Sequence, residues 1–114
     1  MRLPDAEGCE VTRGKVLDYL LNPDHRYGVY KARFFAEMGF SREEWQILAA
    51  ALHAHGCTHA VARSRQTAFG MRYEVDGVLK TPSGRRPRIR TVWQVDEGAG
   101  VPRLITAHPL EKTT

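Results

Sequence analysis

The hydrophobic pattern of this chain changes its period at about Gly56. Before Gly56, apolar residues recur every three or four positions, which is typical of amphipathic helices. After Gly56, apolar and polar residues alternate, which is typical of strands with one buried face. Strands joined by hairpin-length links pair antiparallel. The pattern therefore predicts an α+β domain in which three N-terminal helices pack on a C-terminal four-stranded antiparallel sheet.

Capping residues predict where the helices begin and end. The predicted helices cover residues 13–21, 29–38 and 42–55. Thr12 is an N-cap candidate for the first helix, and Pro23 ends it because proline disfavours the helical conformation of the preceding residue. Gly39 is typical of the C′ position after the second helix. Ser41 and Glu44 form a capping box at the start of the third.

Turn residues divide the second half of the chain into strands. Gly56 is predicted to close the third helix, and the strands to cover residues 58–63, 68–75, 87–95 and 102–108. Asp76-Gly77 and Pro82-Ser83-Gly84 carry residues that favour turns. One face of the second strand is predicted to be apolar, with Phe69, Met71, Tyr73 and Val75.

A chain of 114 residues is long enough for one domain. We predict an N-terminal arm over residues 1–11, a single domain over 12–110 and a frayed tail over 111–114. Neither a membrane-length apolar run nor a signal peptide is present, so we expect a cytoplasmic protein without a membrane partner. Cys9 and Cys57 are far apart in sequence, so we expect reduced thiols. The sequence leaves the oligomeric state open.

No acidic residue lies between Asp76 and Asp96, and that gap holds a basic segment. Its cations are Lys80, Arg85, Arg86, Arg88 and Arg90. Holding like charges together costs energy, and a polyanion such as an RNA backbone is well suited to offset it. The alternative is a solvated hairpin whose charges only keep a strand from pairing at its edge.

Alternation assigns side chains of the third strand to opposite faces. Arg88 and Arg90 share one face, and Thr91 and Trp93 share the other. Arg90 and Thr91 are candidates for chemistry. Arg85, Arg86, Arg88 and Trp93 are candidates for contacts with flanking substrate.

The remaining candidates lie at the start of the second helix and on the last strand. His25 precedes that helix and Lys31 lies near its first turn, where backbone N–H groups attract anions. An alternative is that His25 only helps to cap the helix. Thr106 and His108 share a face of the last strand. RNA cleavage without a metal needs a base, an acid and cations on the phosphate oxygens, and these residue types are present.

No cofactor or metal site is predicted. His53 and His55 are two apart on a helix, so their side chains point about 200° away from each other. They lie near the end of that helix, where cations complement the helix dipole. His59 is expected on a strand. The sequence also lacks the glycine-rich phosphate loops and nucleophile motifs of other enzyme classes.

Two stretches resemble a small bacterial domain family of unknown function. The first runs from Tyr19-Leu-Leu-Asn-Pro-Asp-His25 through Gly28, Lys31 and Phe34-Phe35 to Gly39-Phe40. The second contains Thr81-Pro-Ser-Gly84, Arg90-Thr-Val-Trp93 and Pro102-Arg-Leu-Ile-Thr106-Ala-His-Pro109. This resemblance covers residues 12 to 110.

The chain also resembles, more distantly, the nuclease superfamily of barnase, RelE and related colicin toxins. That resemblance implies metal-independent RNA cleavage and a cognate antitoxin or immunity protein. By position, it implies catalytic roles for His25, Lys31, Arg90, Thr91 and Thr106. The superfamily often has a histidine directly after its lysine, where this chain has Ala32. His108 is the candidate replacement.

The leading hypothesis is therefore a ribonuclease-like toxin component that acts on RNA. One alternative is a non-catalytic module whose basic hairpin binds an acidic protein partner. Another is an RNA-binding domain that leaves its RNA intact.

Overall fold

The computed structural model describes residues 1–26, 28–98 and 100–110. It confirms the predicted class: helices come first, followed by one antiparallel sheet with the strand order β1-β2-β3-β4. In chain order, the elements are a 3₁₀ turn Ala6–Gly8, α1 Arg13–Lys15, a π-helical stretch Val16–Leu20, α2 Val29–Glu37, α3 Trp45–Thr58, β1 Val61–Thr67, β2 Gly70–Val78, β3 Arg88–Asp96 and β4 Arg103–Pro109. The tail expected over 111–114 falls outside the described residues. Within the described ranges, no helix is both long and apolar enough to span a membrane.

The first helix begins as predicted, but its hydrogen bonds then change from the α-helical to the π-helical pattern. The Thr12 hydroxyl accepts a hydrogen bond from the Lys15 N–H at 3.1 Å, as an N-cap does. Farther along, the Leu21 N–H donates to the Val16 carbonyl at 2.8 Å, five residues back in sequence. The single α-helix expected over residues 13–21 is therefore wrong in its second half, which is a π-helical stretch.

The end of α2 confirms the predicted glycine cap. Gly39 has a φ of 98°, a conformation that favours glycine. Its N–H donates to the Ala36 carbonyl at 3.0 Å, and the Phe40 N–H donates to the Phe35 carbonyl at 3.1 Å. The rings of Phe35 and Phe40 also pack with their centroids 6.1 Å apart. These bonds and this contact form a Schellman motif.

The bounds of α3 differ from the prediction at both ends. Ser41 accepts a hydrogen bond from the Glu44 N–H at 3.3 Å, but the helix begins only at Trp45. At the other end, Gly56 does not close the helix, which continues to Thr58. A Cβ atom at Gly56 would lie 2.5 Å from Cζ2 of Trp93. Glycine is therefore required here because an indole ring lies against the helix backbone.

Two expectations about the strands are corrected. Asp76-Gly77 is not a turn but part of β2, where a Cβ on Gly77 would lie 2.3 Å from the His59 ring. His59 is not on a strand but is the C-cap residue of α3. Phe69 lies in the β1–β2 turn and is 75% exposed, whereas Tyr73 and Val75 are buried as predicted.

A buried chain of hydrogen bonds joins α3 to the two central strands. The indole N–H of Trp93 donates to the Thr91 hydroxyl oxygen at 2.8 Å. That oxygen is 3.0 Å from His55 Nδ1, and His55 Nε2 is 3.1 Å from the Gly77 carbonyl oxygen. A carbonyl only accepts, so Nε2 carries the proton and the Thr91 hydroxyl donates to Nδ1. Each buried side-chain polar atom of this series, from the Trp93 indole to the His55 ring, therefore has a hydrogen-bond partner.

The N-terminal arm, expected over residues 1–11, packs against the rest of the domain. Leu3 and Cys9 are buried. At one end of the arm, the Met1 carbonyl accepts a hydrogen bond from the Val61 N–H at 2.6 Å. At the other end, Glu10 forms a parallel bridge with Arg103, the first residue of β4. The arm therefore contributes to the same core as the helices.

The contact between Gly56 and Trp93 predicts that alanine destabilises the protein at Gly56 but not at Gly14. Gly56→Ala should lower the free energy of unfolding by about 1–3 kcal/mol, because it overpacks a buried site. Gly14→Ala is the matched control, since its Cβ would meet only the Asp18 carboxylate, at 3.6 Å. That substitution should be neutral or stabilising by up to about 1 kcal/mol. Urea denaturation measures both, and equal effects would contradict the packing described.

Burial also predicts how stability depends on pH. Burial lowers the pKa of His55 to about 4, against 6.5 for an exposed histidine. Between these values the unfolded chain binds more protons than the folded protein, so stability falls as the pH falls. The loss between pH 6.5 and 4 should be roughly 3 kcal/mol. Urea denaturation of His55→Gln, which cannot titrate, should lack this part of the dependence. An unchanged pH profile in the variant would contradict the assignment.

Candidate functional site

Tyr19 is the centre of a cluster at the edge of the sheet formed by β4. Its hydroxyl is 3.1 Å from the hydroxyl oxygen of Thr106. Its ring meets the His25 ring edge-on, with centroids 4.8 Å apart. The ammonium group of Lys31 is 5.2 Å from the centroid of the same tyrosine ring. His25, Lys31 and Thr106, which were predicted as site residues, therefore converge on one side chain.

Local irregularities of the backbone bring these residues together. Tyr19 lies on the π-helical stretch, and such stretches often occur at functional sites. Thr106 follows a shift in register between β3 and β4, which leaves Ile105 without a partner. A bulge of this kind redirects side chains at a sheet edge. Gly28 permits the approach of α2, because a Cβ there would lie 2.8 Å from the Tyr19 carbonyl oxygen.

Two lysines surround the tyrosine. The ammonium group of Lys15 is 5.1 Å from the Tyr19 ring centroid. Burial raises the pKa of Tyr19, but hydrogen bonding by Lys31 and Thr106 and the charges of the two lysines lower it more. The pKa of Tyr19 therefore lies below its ordinary value, which makes its hydroxyl a better proton donor.

Sequence reasoning did not assign a role to Tyr19. Two signals point to it: Tyr19 follows Lys15 by four residues, which places both on one helix face, and it lies beside the apolar stripe of that helix.

The cluster opens into a surface cleft. Its volume is about 570 Å³, which is within the usual range for small-ligand sites. The residues that line it are Gly14, Lys15, Asp18, Tyr19, His25, Ile105 and Thr106. The cleft is lined by one lysine, an imidazole and two hydroxyls, with the Asp18 carboxylate beside them. These groups can transfer protons, and Lys15 together with the neighbouring Lys31 supplies positive charge for an anion.

His108 lies between this cluster and the outer face of the sheet. It is two residues beyond Thr106 on β4 and opposite Arg90 on β3. Burial lowers its pKa, and the positive charges of Lys31 and Arg90 lower it further. The charges of Glu74 and Asp76 act in the opposite direction, but the net shift lowers the pKa and favours the uncharged imidazole.

Arg90 is occupied by carboxylates of the neighbouring strand. Its Nε and Nη2 atoms donate to the two Asp76 oxygens at 2.7 and 2.9 Å, and Nη1 donates to Glu74 at 3.3 Å. The hydrogen bond to Asp76 raises the pKa of Arg90 and lowers that of Asp76. Arg90, a candidate for chemistry, is therefore not a free cation, because its counterions are its neighbours on β2.

Thr91 and Trp93 are not placed to contact a ligand. Both have 0% exposure, and both belong to the buried hydrogen-bond chain with His55. Alternation along β3 turns them toward α3, away from the face that carries Arg90. The expected roles of Thr91 on a phosphate and of Trp93 on a substrate are therefore corrected to roles in the core.

The basic hairpin tip is ordered and exposed. The Thr81 hydroxyl donates to the Arg85 carbonyl at 2.6 Å, and Gly84 adopts a φ of 86° in the turn. Among the described residues, none of the tip cations forms an ion pair; they are Lys80, Arg85, Arg86 and Arg88. Arg88 adjoins the end of β4, since its carbonyl accepts a hydrogen bond from the Leu110 N–H at 2.9 Å.

The fold is similar to that of a chain in a solved structure described as a contact-dependent growth inhibition toxin–immunity protein complex from Klebsiella pneumoniae 342. The TM-score is 0.72 at 17% sequence identity, and the match covers 94% of this chain and 97% of that chain. At this identity the likeness concerns the fold. No curated protein gives a significant match.

A protein-family model, described as a domain of unknown function, matches residues 2–111. This match includes the N-terminal arm as well as the helices and the sheet. The resemblance to a domain family of unknown function is thus confirmed. The chain belongs to the family described as domain of unknown function (DUF6883).

Proposed function

We propose that this domain is a metal-independent, ribonuclease-like toxin component that acts on RNA phosphodiesters. The observation that carries the proposal is the convergence of His25, Lys31 and Thr106 on Tyr19, beside an open cleft that Tyr19, His25 and Thr106 line. These residues come from the π-helical stretch, the loop that follows it, α2 and β4, and together they offer proton transfer and positive charge. The similarity in fold to a chain of a toxin–immunity protein complex supports a cognate protein partner.

The proposed reaction is an internal transesterification. The 2′-oxygen of a ribose attacks the phosphorus, and the bond from phosphorus to the 5′-oxygen breaks. The products are a 2′,3′-cyclic phosphate and a free 5′-hydroxyl. His25 takes the 2′-hydroxyl proton, and Tyr19 gives a proton to the leaving 5′-oxygen. The lowered pKa of Tyr19 favours this donation. Tyr19 thereby fills the role left open by Ala32.

The phosphate itself carries negative charge that the site must hold. Lys31 stabilises the nonbridging oxygens, since its ammonium group lies over Tyr19 and next to the acid. Thr106 orients the Tyr19 hydroxyl through their hydrogen bond. Arg90, held by Asp76 and Glu74, has no direct contact with the phosphate in this proposal.

Flanking RNA needs a further binding surface. The exposed cations of the hairpin tip, Arg85, Arg86 and Arg88, provide charge for neighbouring phosphates. Arg85 lies in a turn held by the Thr81 hydroxyl, and Arg88 pairs with Leu110 at the end of β4.

The proposal predicts RNA cleavage in the presence of EDTA. Purified protein should cleave total tRNA, and His25→Ala and Tyr19→Phe should each slow cleavage by about a hundredfold or more, because each removes a proton-transfer group. Arg65→Ala is the control, since Arg65 is exposed on β1. Gel electrophoresis follows the reaction. Intact RNA at high protein concentration, together with normal growth of cells that express the domain, would contradict the proposal.

A second candidate function is a non-catalytic module that binds an acidic protein. The unpaired cations of the hairpin tip favour it. In that case, Arg85→Glu with Arg86→Glu should abolish capture of the cognate partner in a pull-down, while His25→Ala changes neither RNA nor growth. Loss of RNA cleavage in His25→Ala would exclude this alternative as the sole function.

A further inference from the structure

A cluster of two thiols and an imidazole lies where the N-terminal arm meets α3. It consists of Cys9, His53 and Cys57. Their ligand atoms all lie within 4.8 Å of one another. Cys9 is buried, and His53 and Cys57 are half-buried. We propose that Cys9, His53 and Cys57 bind one Zn²⁺ ion that fastens the arm to α3.

The spacing of the ligand atoms suits zinc. A tetrahedral zinc ion, with bonds of about 2.3 Å to sulfur and about 2.0 Å to nitrogen, keeps its ligand atoms roughly 3.5–3.8 Å apart. The Cys57 sulfur is 3.7 Å from Nδ1 of His53. These two residues are four apart on α3, so they share a helix face. Thiolate and imidazole ligands favour zinc over magnesium or calcium.

A hydrogen bond to the arm fixes the tautomer of His53. Nε2 of His53 is 3.1 Å from the Glu7 carbonyl oxygen. Because a carbonyl only accepts, Nε2 carries the proton and the lone pair of Nδ1 stays available for a metal ion. The Cys57 sulfur lies 3.7 Å from Nδ1 and 3.9 Å from Nε2, so a small rotation of the imidazole would direct Nδ1 at an ion held by the sulfur. Metal-bound histidines commonly donate their other N–H to a carbonyl in this way. The arm thus supplies both one ligand and the support for another.

Binding must remove the thiol protons. Burial raises the pKa of Cys9 to about 12, so its thiol is protonated in the metal-free protein. The Cys57 thiol donates to the Ala6 carbonyl at 3.0 Å. On binding, both thiols release a proton to solvent and become thiolates. The Ala6 carbonyl then keeps its hydrogen bond from the Cys9 N–H, at 3.1 Å.

A second cleft gives the ion access and space for a fourth ligand. Its volume is about 740 Å³. The residues that line it are Arg2, Asp5, Ala6, Glu7, Gly8, Cys57 and Val101. Since the described cluster offers three ligands, a water molecule from this cleft completes the tetrahedron.

Cobalt titration tests the site without reference to RNA cleavage. Reduced, metal-free protein should bind one Co²⁺ per chain, with thiolate-to-cobalt absorption in the near ultraviolet that Zn²⁺ abolishes. Zn²⁺ should also raise the melting temperature. Cys57→Ser and His53→Gln should each weaken binding by more than about tenfold, since even an outer-shell partner contributes that much. His25→Ala, whose histidine lies in the other cleft, should bind as the unaltered protein does.

Two results would overturn the zinc site. One is the same cobalt absorption in Cys57→Ser and His53→Gln as in the unaltered protein, with circular dichroism showing both variants folded. The other is reduced protein that shows no thiolate-to-cobalt absorption and whose melting temperature Zn²⁺ leaves unchanged. Neither result would bear on the RNA cleavage assay, so the two proposals fail separately.

Discussion

The buried hydrogen bonds from Trp93 through Thr91 and His55 to Gly77 hold α3 on the two central strands. Leaving a buried polar group without a partner costs more free energy than one hydrogen bond gains. These hydrogen bonds therefore stabilise one arrangement of the helix on the sheet. Gly56 lets the indole reach the helix backbone. Because β4 pairs with β3, the same contacts determine where Thr106 lies relative to Tyr19. The cleft depends on them although none of these buried residues lines it.

The elements of the fold could be predicted from local signals. Thr12 caps the first helix and Gly39 ends the second, because unpaired backbone groups at helix ends need such residues whatever the rest of the chain does. The roles of Gly56 and Gly77 could not be predicted from local signals. Glycine favours turns, but it also permits close approach, and the rings that approach here come from distant parts of the sequence.

The candidate site was predictable only where local sequence signals determine it. His25, Lys31 and Thr106 were identified as candidates, and the structure places them around Tyr19, whose role depends on tertiary contacts. The state of Arg90 could not be predicted, since it depends on the register that sets Asp76 opposite it. Alternation correctly placed Arg90 and Thr91 on opposite faces of β3, but it did not show that Thr91 and Trp93 are fully buried.

The central claim is that the cleft at Tyr19 binds the scissile phosphodiester. It is tested most directly by nuclear magnetic resonance with an RNA oligonucleotide made uncleavable by 2′-deoxy substitution. The account predicts that this RNA shifts the backbone amide signals of Tyr19, His25, Lys31 and Thr106. Unchanged signals at these four residues, with shifts confined to the hairpin tip, would contradict it.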